Sequence, residues 1–263
     1  AYPVESREGQ MSSMRMFAVL AGLALAGLGV YTYMSRQYEA PPAAAETAVV
    51  VVEQEAGMGI EAPRDVDGPP FVVEDDFTPL LAQWGDGSYH KAGWNHYGPG
   101  YFTLDRETGV LAAHGGMGLF WYAAEQFGDF TLRLQFQTSV PESNSGVFLR
   151  VPEVPVSDDY IYHSFEIQIH ATAEDPIHRT GGVYDAMAPS QHLAKPPGEW
   201  NDMEISFVGD RITVSVNGTQ VVDWSAEPAG KVADFAPRGY IGLQNHDWET
   251  SVWFRNIRVK KLD

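Results

Sequence analysis

From Phe71 onward the chain is a succession of short alternating runs of apolar and polar residues, separated by turn-forming residues. In TLRLQFQTSV, Leu132, Leu134 and Phe136 alternate with Arg133, Gln135 and Gln137. This is the period of a strand that sets one face on a core and the other toward water. SGVFLRV, SFEIQIHA, DMEISFVG, RITVSVNG, YIGLQNH and SVWFRNIRVKKL follow in kind. Asn217-Gly218 between two such runs predicts a two-residue hairpin, because both residues tolerate the positive φ of its turn. Gly209-Asp210 predicts a second turn. No stretch of the domain has helical periodicity of useful length. Many strands at short spacing with Gly-rich turns predict an all-β sandwich or jelly roll over residues 71–263.

The N-terminal quarter reads differently. Met16 to Met34 is uncharged and bracketed by Arg15 and Arg36. At about 1.5 Å per residue such a run spans roughly 28 Å as a helix, close to the hydrocarbon thickness of a bilayer. Tyr31, Tyr33 and Tyr38 cluster where an aromatic belt would sit. The expectation is a tail over 1–15, one transmembrane helix over 16–35 and a Pro/Ala/Glu-rich linker over 36–70. Ala43 and Ala45 fit the competing reading, a cleaved signal peptide. Arg7 and Arg15 precede the span and Arg36 is the one base between it and Arg64. That bias predicts an inner-membrane protein with its domain on the periplasmic side. Ala18, Gly22, Ala26 and Gly29 form a small-residue helix face that suits packing against another helix. Val49 to Val52 is an apolar run suited to an added edge strand or a neighbour. Ala1 in place of Met is expected to mark a processed form or an unusual start.

A formal charge of −18 argues against a nucleic-acid partner, which rewards clustered Lys and Arg. The absence of cysteine excludes disulfides and thiolate metal sites. Trp84 and Trp200 are expected in the core. Trp248, set among Asp247 and Glu249, is expected to be an exposed contact residue for a sugar or a protein. His90, His96, His114, His163, His178 and His192 show no metal-ligand spacing and read as surface residues. Glu74-Asp75-Asp76 reads as a solvated strand start rather than a Ca²⁺ site.

The ordered succession GDFTLRLQF, NSGVFLR, FEIQI, TGGVYDAMAP, EWNDMEISFVGDRITVSVNG and GYIGLQNH…VWFRNIRVKKL resembles the 3-keto-disaccharide hydrolase family over about Asp75 to Leu262. The resemblance implies a concanavalin-like jelly roll whose concave face meets sugars. It implies Glu166, His246 and Arg150 as catalytic candidates, with Glu166 or His246 the base and Arg150 stabilising an enolate. Asn144, Gln168, Tyr184, Gln244 and Trp248 are the substrate-binding candidates. No cofactor is expected, a divalent ion such as Ca²⁺ or Zn²⁺ being a minor alternative, and no metal ligands are assigned. Two departures lie beside this site: His170-Ala171 where relatives carry an acidic residue, and the insertion Asp247-Trp248-Glu249-Thr250.

Three functional readings follow. The favoured one is a membrane-anchored extracytoplasmic accessory subunit, meeting other membrane-protein subunits through helix, linker and sandwich. It accounts for the small-faced helix and the departures near the site. The alternatives are a membrane-tethered hydrolase or lyase cleaving 3-keto-glycosides by base-assisted elimination, and a carbohydrate-binding module without turnover.

Overall fold

The computed structural model describes residues 76–263. The predicted span over 16–35, its small-residue face (Ala18, Gly22, Ala26, Gly29) and the linker lie outside the described residues. Among the described residues no helix is long and apolar enough to cross a membrane.

Fifteen strands are formed among these residues. They are β1 (Thr78–Pro79), β2 (Ala82–Gln83), β3 (Tyr89–His90), β4 (Trp94–Tyr97), β5 (Tyr101–Leu104), β6 (Leu111–His114), β7 (Gly118–Tyr122) and β8 (Phe130–Thr138), then β9 (Asn144–Val151), β10 (Phe165–His170), β11 (Asn201–Val208), β12 (Arg211–Val216), β13 (Thr219–Ser225), β14 (Tyr240–Asn245) and β15 (Val252–Lys261). Two short 3₁₀ turns, Asp158–Tyr162 and Pro176–His178, interrupt the loops. One sheet runs β13-β12-β11-β8-β15-β6-β5, with β1 added to β15. The second runs β10-β9-β14-β7-β4, and β2 pairs with β3. Every pairing of the named strands is antiparallel.

Alternation explains how the sheets stack. In β8, Phe130, Leu132, Leu134 and Phe136 are buried while Thr131, Arg133 and Gln135 are half-exposed. They meet Val147, Leu149, Phe165, Ile167, Ile169, Ile241 and Leu243 from the second sheet in one core. Each such fully buried side chain contributes on the order of 2 kcal/mol. Gln137, expected on the wet face, is instead buried and donates to the Gly198 carbonyl. The two predicted turns are present: Asn217 and Gly218 take φ of 52° and 80°, and Gly209 takes 57°.

The far side of the five-stranded sheet carries a second, smaller cluster of Leu119, Trp121, Phe148, Val151 and Tyr160. Phe148 and Val151 share a face although they are an odd number of positions, three, apart. A register shift in the β9–β14 pairing explains this: Tyr240 faces Val151 and Gly242 faces Phe148, so two residues of β9 oppose one of β14. Arg150 occupies the bulge with φ of 55°.

Trp84 departs from its expected place. It is 52 % exposed and its ring is tilted against His90, because the two-residue strands around it build no layer above it. Trp200 is half-buried beneath the Arg255 guanidinium.

Candidate active site

Because Phe165, Ile167 and Ile169 enter the core, Glu166, Gln168 and His170 must project from the opposite side of β10. Register then sets their neighbours. Glu166 lies opposite Phe148, Gln168 opposite Gly146 and His170 opposite Asn144. On the next strands Gln244 lies opposite Leu119, and Gly242 opposite Trp121. Sequence-expected residues Asn144, Glu166, Gln168 and Gln244 therefore share one face. Tyr184 joins them through residues 181–184, which run along the free edge of β10: the Tyr184 amide donates to Glu166 O (2.9 Å) and Gln168 N–H to Gly182 O (3.0 Å).

Glu166 is buried, and its carboxylate leans over Gly146. A Cβ at that glycine would stand 2.2 Å from Glu166 Oε1, so the position admits no side chain without displacing the carboxylate. Burial pushes the Glu166 carboxyl up to about 7, against the opposing pull of Lys231, whose Nζ is 3.7 Å from Oε2. Lys231 also sits over the Tyr184 ring, 4.0 Å from its centroid. Tyr184 stacks on His178 at 4.3 Å, and His178 Nε2 is 2.5 Å from Asp185 Oδ1. The Lys231 loop can approach because residue 230 is glycine. A Cβ there would meet the Asp185 Cβ at 2.3 Å.

At the other end of the face, β14 stops at Asn245, so His246 opens the following loop rather than continuing the strand beyond Gln244. It is nonetheless held at the face: Asn144 Nδ2 is 3.2 Å from His246 Nε2, and His246 Nδ1 is 2.7 Å from Asp247 Oδ1. Burial raises the Asp247 carboxyl, but hydrogen bonds from the Thr250 hydroxyl and from His246 outweigh it and leave it below its ordinary value. His170 is lowered, by burial first and by neighbouring His246 second. Two buried atoms on this face lack a protein partner, Gln244 Oε1 and Trp121 Nε1. One accepts and the other donates, the complement of a bound hydroxyl or water.

Arg150 is not part of this arrangement. The bulge turns its side chain away, and the guanidinium donates to Gly128 O (3.0 Å), Gly209 O (2.9 Å) and Asp129 Oδ1 (3.0 Å) and stacks on Phe207 at 3.5 Å. It ties strand ends together, and the expected enolate contact is unavailable to it. Lys231 is the cation that the structure brings to Glu166. Trp248 is 74 % exposed and lies over the Gly115-Gly116 turn.

Lys231, His178, Asp185 and Asp247 were missed by pattern reading. Lys231 and His178 come from irregular segments with no period to place them. The His246-Asp247 dipeptide was visible, but its pairing depends on the loop geometry after β14. Asp76 pairs with Lys260, as a surface strand start would. Among the described residues no group of three or more His, Asp or Glu side chains is arranged to hold a metal ion.

The family model described as 3-keto-alpha-glucoside-1,2-lyase-like domain matches residues 76–260. A 3-keto-disaccharide hydrolase of Bacteroides thetaiotaomicron is 28 % identical over 220 residues, covering 65 % of this chain and 75 % of that protein. The crystal structure of a candidate glycosyl hydrolase from Parabacteroides distasonis superposes with a TM-score of 0.58 at 27 % identity, over 71 % of this chain and 99 % of that one. A Bacillus subtilis protein of unknown function with a galectin-like fold gives a TM-score of 0.50 at 14 % identity, over 70 % of this chain and 94 % of that one. The last likeness is one of fold.

Proposed function

The chain belongs to the 3-keto-alpha-glucoside-1,2-lyase-like domain family, and on that premise we propose that the outer face of its five-stranded sheet binds a 3-keto-glucoside and cleaves it by elimination. The observation that carries this reading is the buried Glu166, raised to about 7 on a face whose other end presents the His246–Asp247 pair. A base whose ordinary value lies near 4.5 is thereby moved to neutrality, where proton transfer is most effective.

The 3-keto group acidifies the neighbouring C2–H. Glu166 takes that proton and the electron pair moves into an enolate, which Lys231 is placed to stabilise. The pair then returns to form the C1–C2 double bond as the C1–O bond breaks, with the electrons leaving on the aglycone oxygen. His246, aligned by Asp247, gives that oxygen its proton. The products are a 1,2-unsaturated 3-keto sugar and an alcohol, and no water is consumed. Gln168, Asn144 and Gln244 would meet ring hydroxyls, and Trp248 would offer an aromatic surface at the rim.

The test is release of alcohol from a 3-keto-glucoside by the full chain, beside the same glucoside without the keto group. Cleavage of the keto form alone is expected, reduced about 10²–10⁴-fold in Glu166→Gln and in His246→Gln. Absence of cleavage, or undiminished cleavage in both variants, would overturn the reading. Binding without cleavage would point to a carbohydrate-binding module.

A second reading, an accessory subunit tethered to the inner membrane with its domain on the periplasmic side, is favoured by a different observation. The segment after β9 exposes Val154 (52 %), Val156 (83 %) and Tyr162 (46 %), and the two valines line a cavity of about 590 Å³ with Phe235 and Ala236. Apolar residues so displayed suit contact with other membrane-protein subunits. Purification in mild detergent tests it. Co-purifying subunits lost on Val156→Asp would support it, and a monodisperse monomer would count against it.

A further inference from the structure

Between the two ends of the proposed site runs an unbroken line of side-chain amides. The Gln168 amide has two ends. One lies 3.2 Å from Asn144 Oδ1. The other lies 2.9 Å from the Ser145 carbonyl and 3.3 Å from Glu166 Oε1. Asn144 in turn reaches His246 Nε2 at 3.2 Å, and His246 Nδ1 reaches Asp247. Each amide has one donating and one accepting end, so turning one obliges the next to turn.

Two arrangements satisfy both amides together with Glu166 and His246. With Gln168 nitrogen toward Glu166 and Ser145 O, its oxygen takes an N–H from Asn144. Asn144 oxygen then faces His246 Nε2, which must carry a proton. Nδ1 donates to Asp247, so the ring is doubly protonated while Glu166 is a carboxylate that accepts. In the reverse arrangement, a protonated Glu166 donates to Gln168 oxygen, Gln168 nitrogen donates to Asn144, and Asn144 nitrogen donates to an unprotonated Nε2. The two states differ in where one proton sits.

We propose that Asn144 and Gln168 are positioning residues that couple Glu166 to His246, so that the two hold a single proton between them and the charge on one favours the charge on the other. The Ser145 carbonyl selects the first arrangement, because only an N–H satisfies it. In that arrangement the carboxylate lies at β10 and the proton on the ring beyond β14, the pair that elimination requires. The other charges facing Glu166 are Lys231, Asp185 and His178. Those around His246 are Asp247 and His170, with Glu142 acting on His170. None of these lies in the amide line except Asp247, at its end.

This inference deepens the cleavage reading and rests on it for its use, but its test needs no substrate. The carboxyl ¹³C signal of Glu166 is followed with pH in the full chain. His246→Gln is expected to raise the Glu166 midpoint by about one pH unit, the size of one lost charge-assisted hydrogen bond. Asn144→Ala, which cuts the line but leaves His246, is expected to raise it similarly. In the Asn144→Ala background, His246→Gln should then have no further effect. Gln168→Met provides a second cut if Asn144→Ala fails to fold. An equal His246→Gln shift in intact and cut backgrounds would mean coupling through space and overturn the proposal, as would no shift in either. Coupling without cleavage would defeat the functional reading alone, and cleavage without coupling would defeat this inference alone.

Discussion

Replacing Glu166 by Gln isolates what it costs to hold an ionisable carboxyl group beneath Lys231 and Tyr184. Unfolded, the group titrates near 4.5. Folded, burial moves it to about 7. Between those values the folded chain binds more proton than the unfolded one, so the group's contribution to stability is present at low pH and lost as pH rises through about 7. At about 1.4 kcal/mol for each pH unit, a move from 4.5 to about 7 amounts to about 3 kcal/mol. Glutamine keeps the shape and carries no proton to lose. The pull of Lys231 on the ionised carboxylate is already contained in the net value of about 7 and needs no separate allowance. The stability difference between variant and wild type should therefore move in the variant's favour by about 3 kcal/mol between pH 4.5 and pH 8, whatever its absolute offset. Urea unfolding of both full chains at half-unit pH steps measures this difference. A difference that stays flat, or that moves toward the wild type as pH rises, would refute the account of Glu166 as a carboxyl raised by burial.

Other substitutions check neighbouring steps. Gly146→Ala brings a methyl group to within 2.2 Å of Glu166 Oε1; it should destabilise by about 1–3 kcal/mol in urea unfolding and displace the Glu166 midpoint. Arg150→Met removes the partner of four acceptors at the end of β9; a loss of about 3–5 kcal/mol is expected, with the turnover of the folded fraction unchanged. Asn217→Ala puts an alanine at a φ of 52° and removes bonds to Leu193 O and Asn201 Oδ1, costing about 1–3 kcal/mol by the same assay. Trp248→Ala, at an exposed position, should change stability by less than about 1 kcal/mol while weakening sugar binding measured by titration calorimetry.

The strands from Phe130 onward and both glycine turns were legible in the order of residues, because a strand's period of two is a local property that a half-buried sheet imposes directly. The same period placed Glu166 with Gln168. Arg150, nominated by the resemblance, is turned away by a bulge, a single inserted residue that sends a side chain to the other side and that no count by twos reveals. Trp84 was misjudged because its type suggests burial, whereas its exposure depends on whether a layer forms above it.

Alternation and the ordered motifs were thus enough to specify an all-β sandwich of this family and to nominate Asn144, Glu166, Gln168, Gln244 and His246. Which of them stand together is decided by contacts between residues far apart in the chain. Lys231 meets Glu166 from a loop 65 positions away, Asn144 meets His246 across 102, and the raised carboxyl of Glu166 exists only because folding removes water from it. Local pattern carries strand and turn, because those depend on neighbours in sequence. Protonation and partnership depend on neighbours in space, and they come into being only when the two sheets close.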